Sequence, residues 1–513
     1  MSLLKIATTV ALLSGLAQCH PTDSKREDLL VQTNEFAVQG VSWPNDTDVS
    51  FWGAIPYAEP PVESLRFRPP VTKRSSNATI DGSWFGSSCI QYSNGQKTVY
   101  SEYLTGFLLS PGQVQSEDCL TLNIWAPAGA KEGEKLPVMI WIHGGGFTSG
   151  GSASPYKYGD RLAKKQNVIV VAMKYVPPLL HLNRTPNIPS YRLNIFGFPN
   201  AAALDNRNLN PGLLDQRKAV EWTHANIASF GGNPDQMILF GQSAGGMAVD
   251  KYTYAYPEDP IVRGFIAQSG AAVGGSSSDF AHSNFTYLAS QVGCEQAGDD
   301  EIFSCMQKAN ASAIISVLNT YNATANGGRG LSFQPAADNS TSFSNYTDRA
   351  ARGRFARLPT LFSQVDNEGA SLVGYVPTGP NQTAVDAFTR SIATCPQAQG
   401  ALARRTYDVP VWRARYFGEW PNLNPLPWLH AYHSSDIPMV FGTSNLRGED
   451  TGAEKATSEY MQDAWAAFAR DPEHGLEKWW PRYDPAGETL VKLGYGNDTQ
   501  AVLGKGDEFD GLC

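Results

Sequence analysis

Met237-Ile-Leu-Phe-Gly-Gln-Ser-Ala-Gly-Gly246 decides the fold. Its first four residues are apolar on both faces of an extended chain, the pattern of a strand buried inside a parallel sheet. Gly241, Ser243 and Gly245 then form a G-x-S-x-G turn, and Gly246-Met247-Ala248 begins a helix of small residues. The two glycines keep side chains out of a sharp strand-to-helix turn, which lifts the serine hydroxyl above the sheet.

The same signature recurs twice upstream. Leu136-Pro-Val-Met-Ile-Trp-Ile-His143 and Val168-Ile-Val-Val-Ala-Met173 read as further buried strands. Between them and the serine turn lies a helix-like segment, 214–228, where Leu214, Val220 and Trp222 punctuate polar positions. Alternating strands and helices predict an α/β architecture, a doubly wound, mostly parallel sheet flanked by helices and carrying long loop insertions. A length of 513 residues suggests about three domains at roughly 150 residues each. No internal repeat or linker divides the chain, so one catalytic domain over 20–513 is expected.

Composition narrows the function. With 42% hydrophobic and 17% charged residues the chain can bury a large core, which excludes general disorder. Its 48 Gly and 33 Pro follow no triplet period, which excludes a collagen-like fibre. The net charge of −9 comes without a basic stripe, so nucleic acid is not an expected partner. Residues 1–19 read as a signal peptide: Lys5, an apolar run over 6–16, then small residues with cleavage after Ala17 or Cys19. That run is too short to span a bilayer, and a secreted, extracellular protein with no integral membrane segment is expected.

Cleavage after Cys19 leaves Cys89, Cys119, Cys294, Cys305, Cys395 and Cys513. An oxidising compartment favours disulfides. Of fifteen possible pairings, nearness in sequence favours Cys294–Cys305 and Cys89–Cys119, and Cys395–Cys513 follows by elimination. No CxxC or Cys/His cluster has zinc spacing, so neither a metal nor a cofactor is expected. Sequons begin at Asn45, Asn77, Asn183, Asn284, Asn310, Asn322, Asn339, Asn345, Asn381 and Asn497, the pattern of a eukaryotic glycoprotein.

Ser243 needs a base to become a nucleophile, and its reaction needs donors for a developing oxyanion. His143-Gly144-Gly145-Gly146-Phe147 directly follows a buried strand. The backbone N–H groups of Gly145 and Gly146, with that of Ala244 after the serine, are the candidate oxyanion donors.

Two longer stretches carry a family resemblance: Phe230-Gly-Gly-Asn-Pro-Asp-Gln-Met-Ile-Leu-Phe-Gly-Gln-Ser-Ala-Gly245 and Glu117-Asp-Cys-Leu-Thr-Leu-Asn-Ile-Trp-Ala-Pro127. Pro56-Tyr57-Ala58, Arg66-Phe-Arg-Pro-Pro70, Tyr191-Arg-Leu-Asn-Ile-Phe-Gly197 and Met461-Gln-Asp-Ala-Trp465 support them. Together they resemble the type-B carboxylesterase/lipase family of α/β-hydrolases, which includes the cholinesterases, in a secreted fungal form. The resemblance spans residues 35 to 485. It implies the α/β-hydrolase fold and a serine carboxylic-ester hydrolase working through an acyl-enzyme on a small-molecule or lipid ester.

In this fold the partners follow the order serine, acid, histidine, which leaves His430, His433 and His474. His433-Ser-Ser-Asp-Ile-Pro-Met-Val-Phe-Gly442 resembles the family's histidine loop and makes His433 the base, with His430 a packing residue. Asp366-Asn-Glu-Gly369 resembles the family's D-E-G element, with Asn in place of Asp, and puts the acid on Glu368; Asp366 is the alternative. Activity is then expected to fall on the acid side as His433 protonates.

Two departures matter. Cholinesterases carry a key Trp inside the first disulfide loop, but residues 90–118 contain none, offering only Tyr92, Tyr100, Tyr103 and Phe107. That loop, a lid in the family's lipases, is also short here. A general carboxylesterase is therefore expected over a choline-specific enzyme. A lipase acting on acylglycerols or sterol esters is one alternative, and a catalytically silent binding or adhesion protein another. The second departure is 176–191, whose four prolines interrupt an otherwise continuous family pattern; it reads as an unspliced intron or as an insertion near the substrate-binding edge.

Overall fold

The apolar runs of the sequence lie side by side in a single sheet. The computed structural model describes residues 29–93, 95–109, 114–151, 154–172, 191–273, 276–321, 325 and 330–513. The expected signal segment, residues 173–190, Asn183 and Asn322 fall outside them.

In chain order the sheet strands are β1 Val41–Trp43, β2 Asp46–Pro56, β3 Thr121–Pro127, β4 Leu136–Ile142, β5 Ile169–Ala172 and β6 Gly232–Gln242. They continue with β7 Gly264–Gln268, β8 Thr360–Val365, β9 Val411–Tyr416, β10 Glu488–Leu493 and β11 Val502–Lys505. The spatial order is β11-β10-β9-β8-β7-β6-β4-β5-β3-β2-β1. Neighbours from β5 through β10 are parallel, and antiparallel strands finish both edges.

Buried parallel strands must be apolar on both faces, and the packing shows why. Val138, Ile140 and Ile142 of β4 join one core with Leu239 of β6. Met139 and Trp141 join the opposite core with Ile238 and Phe240. Helices cover both faces: α1 Pro211–Asn226, α2 Ala244–Ala255, α3 Cys395–Thr406 and α4 Gly452–Arg470. The helix expected over 214–228 starts at Pro211 because proline suits a first helical turn, whose N–H has no partner anyway. A 3₁₀ turn, Ile227–Phe230, takes over its end.

Two of the stretches that carried the family resemblance meet in space through an ion pair, and a third pairs with helix α1. Arg66 holds Glu117 at 2.6 Å, and Arg192 holds Asp215 at 2.7 Å. Disulfides join Cys89–Cys119, Cys294–Cys305 and Cys395–Cys513, the pairing expected. The sequon asparagines Asn45, Asn77, Asn310, Asn339, Asn345, Asn381 and Asn497 are exposed. Asn284 corrects the expectation: it is buried, and its amide nitrogen donates to the Ser332 carbonyl at 2.9 Å, so this sequon is not presented for glycosylation.

One pair anchors the helix that follows Ser243. The fully buried guanidinium of Arg404 on α3 donates to Asp250 Oδ1 on α2 at 2.6 Å, and Asp250 Oδ2 accepts the Ala272 N–H at 2.7 Å. Asp250→Ala strands a buried cation, and a loss of about 3–5 kcal/mol is expected. A lower urea midpoint than that of the unmodified chain checks this; an unchanged midpoint contradicts it.

Candidate active site

Ser243 stands between β6 and α2 with φ 60° and ψ −125°, a backbone region costing roughly 1–3 kcal/mol. Crowding enforces the turn. A β-carbon on Gly245 would lie 2.1 Å from the Ile142 carbonyl oxygen, and one on Gly241 2.7 Å from Gly245 itself. The Ser243 N–H donates to the Gln268 carbonyl and its carbonyl accepts from the Met247 N–H, both at 2.8 Å.

The glycine loop leaves β4 beside this turn. Gly145 and Gly146 have φ of 118° and 63°, which glycine alone adopts without penalty. The Gly145 carbonyl accepts from the Thr148 and Ser149 N–H groups, and Gln334 Nε2 donates to the Gly146 carbonyl at 2.8 Å. With the carbonyls tied back, the N–H groups of Gly145, Gly146 and Ala244 donate to no group among the described residues. His143 is a packing residue, stacked on Tyr191 at 4.5 Å, with burial driving its pKa down to about 3.

Glu368 follows β8 in the turn Glu368–Ser371, and His433 lies on the loop after β9. Glu368 Oε2 faces His433 Nδ1 at 2.5 Å, while its Oε1 accepts the Val365 N–H at 3.0 Å. Both side chains are buried, at 0% and 4% exposure, so little water competes for the contact. Asp366 points elsewhere, pairing with Arg415 on β9 at 2.9 Å. Asn367, the departure from the family element, braces the histidine loop: its N–H donates to the Ala431 carbonyl and its Nδ2 to the Leu429 carbonyl. His430 is an exposed partner of Glu419, and His474 an exposed neighbour of Asp471.

Ser243, His433, Gly145, Gly146 and Ala244 line one cavity of about 440 Å³, with Tyr100 and Phe107 from the first disulfide loop and apolar Leu372, Phe388 and Ile392. The Tyr100 hydroxyl donates to the His433 carbonyl at 2.6 Å. A carboxylate at Nδ1 leaves His433 Nε2 as acceptor, and there it receives the Gln242 amide at 3.0 Å. Among the described residues Ser243 Oγ makes no hydrogen bond, a looseness common before substrate binds. A second cavity, about 270 Å³ between α2 and α3, has no comparable chemistry, since Asp250 on its wall is already paired.

Sequence reasoning missed Gln242 and Asp436. Asp436 is three residues after His433, the one local signal of its place. It is fully buried, accepts Gln268 Nε2 at 2.7 Å on one oxygen and has no partner on the other. Burial pushes its pKa up to about 6. Among the described residues, no three His, Cys, Asp or Glu side chains gather as metal ligands do.

This sheet and this serine turn define an α/β-hydrolase. The chain belongs to the Carboxylesterase family, whose profile matches residues 27–178, 188–386 and 377–507, and it is a carboxylic ester hydrolase. The break between 178 and 188 falls inside the proline-rich segment 176–191. Chlorogenic acid esterase of Aspergillus niger is 41% identical, over 96% of this chain and 95% of its own. Secreted lipase 5 of Gibberella zeae is 38% identical over 88% and 87%. A solved structure of PNB esterase superposes with TM-score 0.75 at 26% identity, covering 94% of this chain and 98% of that one.

Asp436 gives the site a pH signature. Its folded pKa of about 6 lies above the ordinary 3.8, so the folded chain binds this proton more tightly than the unfolded one. Stability therefore falls as pH rises from about 4 to 6. Asp436→Asn removes this loss and is expected to gain roughly 1–3 kcal/mol over the unmodified chain above pH 6, shrinking towards pH 4. Urea unfolding across that range reads it, and a pH-independent difference would refute it.

Proposed function

We propose that Ser243, His433 and Glu368 are the catalytic triad of a secreted serine carboxylesterase. The observation that carries the reading is the Glu368–His433 contact of 2.5 Å, with His433 lining one cavity together with Ser243 and three residues whose N–H groups donate to no described residue. His433 Nε2 exchanges the Gln242 amide for the Ser243 hydroxyl and takes its proton as Oγ attacks the ester carbonyl. The N–H groups of Gly145, Gly146 and Ala244 receive the oxyanion. His433 returns the proton to the leaving alcohol, then activates the water that cleaves the acyl-enzyme. Glu368 holds the ring tautomer and stabilises the imidazolium.

The substrate reading is a soluble ester rather than an acylglycerol at an interface. The short Cys89–Cys119 loop supports it, because Tyr100 binds the histidine loop instead of standing free as a lid. The apolar wall of Leu372, Phe388 and Ile392 favours lipase action as the second reading, as does the name of the Gibberella zeae relative. A silent binding protein has no such support. Residues 1–19 act as a signal peptide and 20–513 as one catalytic domain; no helix among the described residues is long and apolar enough to cross a membrane.

Ser243→Ala is expected to lower kcat on a short-chain nitrophenyl ester by at least about a thousandfold. Gly145→Ala, whose β-carbon would meet the Ser149 carbonyl at 2.1 Å, should cost about a hundred- to a thousandfold. Activity of Ser243→Ala equal to the unmodified chain would defeat the triad. A chain-length series of esters, with and without emulsified triglyceride, separates esterase from lipase.

A further inference from the structure

The cavity contains one charged side chain that the triad does not use. Lys157 ends the turn Pro155–Lys157, is 6% exposed, and lines the same cavity as Ser243 and His433. Among the described residues, no Asp or Glu lines that cavity. Among the described residues the other buried cations each have a partner. Arg66 holds Glu117, Arg192 holds Asp215, Arg404 holds Asp250, Arg413 holds Asp510, Arg415 holds Asp366 and Lys492 holds Glu508. Lys251 donates to the Ala272 carbonyl at 2.7 Å. The Lys157 ammonium makes no hydrogen bond or ion pair with a described residue, and no carboxylate acts on it electrostatically. Buried charges persist in proteins when something pairs with them. Lys157 has no such partner among the described residues, and the cavity is a space it lines.

We infer that Lys157 determines specificity by binding a carboxylate carried on the ester substrate. This rests on the reading of the cavity as the ester site and adds the substrate class to it. A lone ammonium suits a monoanion; a phosphate dianion is normally held by several donors or an arginine fork. Burial lowers the Lys157 pKa to about 8, so it remains mostly charged at neutral pH and loses that charge just above it. The elements packed on its turn are the turn Thr105–Phe107, the helix Ile437–Phe441 and the turn Ser444–Arg447. They and the nearby loop bring Arg447, Asp436 and His143, while Tyr100 and His433 lie across the cavity. None of these makes a hydrogen bond or ion pair with Lys157, and His433 affects charged and neutral esters alike.

Two substrate pairs test this. Chlorogenic acid and its methyl ester differ in one charge on the alcohol half; monomethyl and dimethyl adipate differ in one charge on the acyl half. At pH 6.5 the charged member of one pair should have the higher kcat/KM, through a lower KM, and the pair that responds identifies the half bound by Lys157. Lys157→Met should cut that charged-to-neutral ratio by about ten- to a hundredfold, and Lys157→Arg should keep most of it. In the unmodified enzyme alone the ratio should fall as pH passes about 8, which decides the matter even if Lys157→Met does not fold. A ratio favouring the neutral esters in both pairs overturns the inference, as does a preference that survives Lys157→Met. Such a result leaves the triad standing, because Ser243→Ala on a neutral nitrophenyl ester tests that separately.

Discussion

The contact between Gly245 and the Ile142 carbonyl governs the geometry of this protein. Any β-carbon at 245 would sit 2.1 Å from that oxygen, so the strand carrying the serine and the strand carrying the glycine loop can come this close only with glycine between them. Because β4 and β6 are parallel neighbours, their following loops leave the same edge of the sheet. The loops after β8 and β9 leave it there too, delivering Glu368 and His433. Residues nearly two hundred positions apart thus converge without any long-range recognition of their own; strand direction places them.

Holding Ser243 in a strained turn requires rigid surroundings. Two cores, one on each face, share alternate residues of β4 and β6, so the strand beneath the serine cannot rotate without emptying both. The helix after the serine is fixed by the Asp250–Arg404 pair, whose members lie 154 positions apart. The Cys395–Cys513 bridge adds a covalent tie at the head of α3, bringing the C-terminus to the same side of the molecule.

What was legible in the sequence was what backbone crowding dictates. Gly241, Gly245 and the run 144–146 announce themselves because only glycine fits, and the apolar runs because both faces are covered. The disulfide pairing was legible from proximity. Asp366 and Glu368 were harder to separate, since both occupy one turn. The choice is made by Arg415, a residue 49 positions away that claims Asp366 and leaves Glu368 to face His433. Asn284 misled for a similar reason: a sequon is local, whereas its burial against Ser332 is not. Gln242 and Asp436 lie inside quoted stretches as residues the pattern does not single out, Lys157 lies in none, and what surrounds all three gives them their place in the site.

Those three residues surround the proposed triad: Gln242 bonds His433, Asp436 is buried three residues beyond it, and Lys157 lines the same cavity. Glu368 and Asp436 are both buried close to one imidazole, and the charge of Glu368 raises the pKa of Asp436 further after burial has begun to. Two carboxylates so placed do not ionise independently. Glu368 has a backbone N–H on one oxygen and the His433 ring on the other, whereas one oxygen of Asp436 has no partner among the described residues. His433 therefore has Glu368 on Nδ1 and, close by, Asp436, whose pKa burial pushes up to about 6. In the proposed reaction the protein's own Glu368 stands against the His433 ring, while Lys157, alone among the described buried cations in having no described partner, lines the cavity the ester would fill.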